Sequence, residues 1–202
     1  MIKKQRNMIH SLSDKQMVMQ LYLTQGLLLA VSILLSLFFF RTVLAPFDHF
    51  AWSAEAVIWG CALAGTILIC DMLIMKYAPK SWYDDGGINQ RIFRSCSIPH
   101  IVFLALLISF TEEILFRGIL QHGLGLWPAA VIFSLLHIRY LDRPLLFAAV
   151  IIASVLLGLI YEWTDNLLAA ITAHFFIDFV SAAHIRIEYL KRGGSISDDE
   201  PA

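Results

Sequence analysis

Side chains able to move or hold protons fall in three short groups: Glu112, Glu113 and Arg117, then His137, then His174 and Asp178. A carboxylate beside one or two imidazoles can activate water and stabilise an oxyanion, the minimum set for amide hydrolysis. The same groups can ligate a divalent metal such as zinc, and Glu112, His137 and His174 are the candidate ligands. There is no H-E-x-x-H, so the usual helix-borne zinc protease motif is absent, and metal-free and metal-assisted hydrolysis both stay open. No serine pairs convincingly with these groups, and Ser109 and Ser134 read as helix-packing residues.

The spacing sorts the groups. Glu113 and Arg117 are i, i+4, share a helix face and can pair. Glu112 is rotated about 100° from Glu113, so the two carboxylates have different environments and different roles. His174 and Asp178 are again i, i+4, and an Asp one turn away can hold an imidazole in a chosen tautomer. Phe133 and His137 share that spacing, which puts an aromatic ring beside the imidazole and makes Phe133 a candidate substrate contact.

All of these residues lie inside long apolar runs. The 202-residue chain is 58% hydrophobic and 15% charged, against about 25% charged in soluble domains. Such a chain is an integral, multi-pass membrane protein with the lipid bilayer as its partner and none among nucleic acids. Open sheet edges are excluded from lipid, so the fold class is all-α, a single helical bundle. Six candidate spans are expected: Met17–Phe40, Ala56–Met75, Ile98–Leu120, Leu124–Tyr140, Leu145–Trp163 and Leu167–Leu190, the fourth being the shortest. The first is too long and starts too late for a cleaved signal peptide. Residues 1–16 read as a basic cytoplasmic flank, 17–190 as the bundle, and 191–202 as a small, polar, flexible cytoplasmic tail.

Lys and Arg favour cytoplasmic loops. With both termini inside, every basic residue except Arg41 and Arg117 falls on the cytoplasmic side, so an N-in, C-in orientation is expected. Asp84-Asp85-Gly86-Gly87 in the long loop after the second span reads as a solvated turn. Cys61, Cys70 and Cys96 imply no disulfide framework. Carboxylates at membrane depth are costly, by a few kcal/mol each, and are kept when they face the protein interior and function there. Counting about 1.5 Å per residue in a core about 30 Å thick puts Glu112 and His174 at a common level, roughly 20 Å from the inner face. His137 fits that level less well, at about 10–15 Å by the same count.

E-E-I-L-F-R at 112–117, F-S-L-L-H at 133–137 and H-F-F-I-D at 174–178 resemble, in order, the three motifs of the CPBP (Abi) family, which includes the type II CAAX prenyl endopeptidases. The resemblance covers residues 98 to 190, which makes that stretch the expected catalytic core. It implies an intramembrane endopeptidase acting on a membrane-associated or lipidated, CAAX-like peptide. It also implies Glu112 as the base working with His137, Glu113 and Arg117 as supporting acid and ion pair, and His174 with Asp178 as an oxyanion-stabilising or metal-binding pair. Asp178 stands where eukaryotic members carry Asn. A carboxylate donates no hydrogen bond unless protonated, so Asp178 suits orienting His174 better than holding an oxyanion. Family members are described both as metalloproteases and as metal-free, glutamate-dependent enzymes. The minimal size suggests a bacterial plasma membrane. The alternative is a non-catalytic membrane protein, such as an immunity factor, that binds a peptide in the same polar cavity.

Overall fold

A computed structural model describes residues 12–137 and 140–194. The described residues are helical apart from their connections, and five helices are long and apolar enough to cross a membrane. The chain is an all-α integral membrane protein. Its helices are α1 Asp14–Phe40, α2 Ala54–Tyr77, α3 Ile88–Arg94, α4 beginning at Ile98, α5 Leu126–Leu136, α6 Pro144–Thr164 and α7 Leu167–Lys191. Most of Met1–Lys15 and of the tail lies outside the described residues, as does Arg139.

α1 starts inside the segment read as a flank. Ser13 and Gln16 form a reciprocal capping box, which satisfies the orphan N–H groups of its first turn. Asp14 then pairs with Arg91 and Arg94 at 2.8 and 2.7 Å, tying α3 to the foot of α1. Asp84 and Asp85 accept from the backbone N–H groups of Gly86 and Gly87, the turn chemistry expected of that loop. α1 and α2 leave Met19, Leu27, Leu34, Phe38, Ile58 and Met72 largely uncovered, an apolar surface that suits lipid rather than water.

α4 departs from a plain span. After Glu113 the α-helix opens into a π-helical stretch, Ile114–Gln121, before closing with His122–Leu124. Such widened turns are rare and often sit at functional sites. Gly118 allows a close approach there: a Cβ would stand 2.9 Å from Pro46 in the short 3₁₀ turn Ala45–Phe47.

The expected fourth span is the main difference. α5 has 11 residues, about 16 Å of helix against a core of about 30 Å. Gly125, at φ 90°, breaks the chain away from α4. At the other end the ring of His137 takes the Phe133 carbonyl at 2.9 Å, the acceptor that a continuing helix would use. The His137 N–H turns to Ser134 instead, and α5 stops.

α7 is the central helix. It packs on α2, α4, α6 and α3. Gly60 lets α2 close on it, since a Cβ there would lie 2.6 Å from the Ala169 carbonyl and 2.7 Å from Thr172. Asn166 caps α7 at the Leu168 N–H, and its amide also grips Ala51, fixing the turn before α7 to the loop before α2.

Candidate active site

The site lies where the end of the α-helical part of α4 meets the middle of α7. Glu113 is fully buried, and its two oxygens serve two partners. Oε1 lies 2.7 Å from His174 Nδ1 and Oε2 lies 3.1 Å from Arg117 Nε. The second contact is an ion pair at a poor hydrogen-bonding angle, which leaves Glu113 Oε2 and Arg117 Nη1 without hydrogen-bond partners. Arg117, also buried, donates through Nη2 to the Ser154 carbonyl at 2.8 Å and to its hydroxyl at 3.3 Å. Its guanidinium carbon lies 5.2 Å from the centre of the Phe133 ring, which packs edge-on against Phe116.

The other edge of His174 faces two more carboxylates. Nε2 lies 3.5 Å from Asp178 Oδ2 and 4.0 Å from Glu112 Oε2. Exposure rises across the group, from 0% at the Glu113 side chain through 10% at His174 and 12% at Glu112 to 29% at Asp178. The cluster therefore opens on the Asp178 side, with the Glu113–Arg117 pair at its closed end. An ionised Glu113 accepts the Nδ1 proton of His174, which turns Nε2 toward Glu112, Asp178 and the opening.

Glu112, Glu113, Arg117, His174 and Asp178 thus come together. The i, i+4 pairings of Glu113 with Arg117 and of His174 with Asp178 are both present, and Glu112 and His174 share one level. The partner that takes Nδ1 of His174 is Glu113, with Asp178 on the Nε2 edge. His137 sits at the end of α5, its ring stacked on Phe133 at 4.6 Å and on Tyr140 at 6.2 Å. A carbonyl only accepts, so the His137 nitrogen facing Phe133 O carries the hydrogen and Nε2 is the lone-pair nitrogen of the neutral ring. Phe133 is buried over Arg117. Among the described residues no three His, Cys, Asp or Glu side chains are gathered so as to hold a metal ion. Glu112, His137 and His174 do not form such a set as placed.

Two further contacts had no motif to announce them. Gln25 of α1 is buried against Thr111 and reaches Glu112, and Ser154 of α6 receives Arg117. An amide within an apolar run was a visible signal for Gln25. Ser154 had none.

Residues 94–180 match the family described as type II CAAX prenyl endopeptidase Rce1-like. The uncharacterized protein YpbD of Bacillus subtilis (strain 168) is 48% identical over 171 residues, covering 84% of this chain and 90% of that protein. The chain belongs to the Rce1-like CAAX endopeptidase family. No solved structure matches it. The Rce1-like match runs from the end of α3 through the middle of α7, so it contains all three motifs and excludes α1 and α2. The Rce1-like family is a family of CAAX-type proteases, which supports a peptidase reading of this chain.

Proposed function

We propose that this protein is an intramembrane endopeptidase of a bacterial plasma membrane, cleaving a membrane-associated or lipidated, CAAX-like peptide with water activated by Glu112. What supports the reading is the joining of two motifs from different helices. Glu113 of α4 holds Nδ1 of His174 at 2.7 Å, and Glu112 lies 4.0 Å from Nε2 of the same ring. A separation of that size is spanned by one water within ordinary hydrogen-bond distance of both atoms, about 2.8 Å from each.

Glu112 takes a proton from that water, and the oxygen adds to the scissile carbonyl. His174, held by Glu113 at Nδ1, would in its doubly protonated form donate through Nε2 to the developing oxyanion. Collapse of the intermediate breaks the C–N bond, and the proton held on Glu112 passes to the leaving amine. His137, stacked on Phe133, is the partner of Glu112 that the family resemblance implies. Asp178 flanks the Nε2 edge of His174 at the open side of the cluster, 3.5 Å away. Arg117 stays out of the reaction and neutralises Glu113. Every step here is carried by protein groups and water.

Glu112→Gln, His137→Ala and His174→Ala test this with a prenylated CAAX-like peptide in vesicles, after folding is checked. Each is expected to lose at least about a hundredfold in rate, the scale of one acid–base or oxyanion group. Wild-type cleavage by all three would remove the reading.

A further inference from the structure

One contact to Glu112 comes from outside the matched region. Gln25 lies midway along α1 and is 3% exposed, a buried amide in an apolar helix. Such a group is tolerated where its donors and acceptor find partners. Thr111 Oγ1 lies against Gln25 Oε1 as well as the Leu107 and Ile108 carbonyls of its own helix, and the Gln25 amide acts electrostatically on the neighbouring Glu112 carboxylate. A carboxylate only accepts, so the NH₂ end of the amide faces Glu112 and the oxygen end faces Thr111. The reverse orientation would set a carbonyl oxygen against a carboxylate. Thr111 and Glu112 are consecutive, so one amide grips two neighbouring residues of α4. One turn earlier on α1, Tyr22 bonds His100 Nε2 at 2.7 Å. That second tie sets the position and rotation of α1 against α4, and with them the reach of Gln25.

We propose that Gln25 is a positioning residue for Glu112, holding its carboxylate with the Oε2 edge turned toward His174 Nε2 and the water between them. The catalytic consequence rests on the reading of Glu112 as the base. The contact itself does not, and the two can be tested apart. The role extends the site to the first helix, which the three motifs do not reach.

The test uses the full chain in vesicles with Gln25→Met, which keeps length and removes the amide. Thr111→Val and Thr111→Ser accompany it. Gln25→Met is expected to lower kcat roughly ten- to a hundredfold, the range for one hydrogen bond to a charged group, with KM nearly unchanged. Thr111→Val loses less, and Thr111→Ser, which keeps the hydroxyl, recovers what valine loses. The second readout needs no substrate: the infrared carboxyl band that disappears in Glu112→Gln shifts in Gln25→Met and stays in place in Thr111→Ser. If Gln25→Met does not fold, Gln25→Asn, shorter by one methylene, gives the same reading. A purely structural Gln25 would lower resistance to unfolding while leaving kcat and the band as in wild type, and that result overturns the proposal. If wild type cleaves nothing, the peptidase reading fails, while an unmoved band still overturns the Gln25 contact and a shifted band still supports it.

Discussion

Replacing Glu113 by glutamine removes one charge from a fully buried position. The carboxylate serves a hydrogen-bond donor and a cation at once, His174 Nδ1 at 2.7 Å and Arg117 Nε at 3.1 Å. Glutamine has one acceptor oxygen and an NH₂ group. Whichever way it turns, one of the two partners meets an NH₂ group. If the oxygen stays on His174, the buried guanidinium faces an NH₂ and loses its counter-charge. Breaking a buried ion pair from one side costs about 3–5 kcal/mol in soluble interiors, whereas polar contacts between membrane helices average about 0.6 and reach about 1.7. Arg117 keeps its bonds to Ser154, and Glu112 stays within electrostatic reach, so the loss falls below the soluble range. A stranded charge places it above the membrane average. The expected destabilisation of Glu113→Gln is about 2–3 kcal/mol, read from equilibrium unfolding in mixed detergent by circular dichroism. Adding Arg117→Met removes the stranded cation and recovers part of the loss, so the two changes are strongly non-additive. A loss under about 0.5 kcal/mol, or additive effects, would refute the reasoning.

Other expectations follow from the same geometry. Gly60→Ala forces α2 away from α7, costs about 1–3 kcal/mol in the same unfolding measurement and lowers cleavage by shifting His174, whereas Gly65→Ala, with open space around it, stays near wild type. Cleavage by water activated at Glu112 survives exhaustive chelation of the purified protein, and a loss restored by adding zinc would contradict this. Tags at the two termini both report from the cytoplasm, following the placement of the basic residues, and detection of either tag outside would reverse the orientation.

How far the sequence announced this site depends on how local each relation is. Glu113 with Arg117 and His174 with Asp178 needed only the helical repeat, and both pairs are present. The common level of Glu112 and His174 needed only the rise per residue and the span ends. The partner of His174 Nδ1 was not legible, because it depends on how α4 and α7 are rotated about their axes, and close packing at Gly60 and Thr172 helps to set that rotation. The π-helical stretch after Glu113 has no sequence signature of its own. The length of α5 is not legible in the sequence because Gly125 turns the chain and His137 caps the helix with its own ring, both invisible to a count of apolar residues. Gln25 was not legible as a site residue because an amide carries no charge and stands without a motif in an apolar helix.

The central claim is that Glu112 directs water onto a peptide bond. It is tested most directly by incubating the purified protein in vesicles with a farnesylated CAAX-like peptide in ¹⁸O-labelled water and weighing the products. The account predicts a shortened prenyl peptide carrying one solvent-derived oxygen at its new C-terminus, and intact peptide with Glu112→Gln. Labelled product at the wild-type rate from Glu112→Gln, or intact peptide from both proteins, would contradict it.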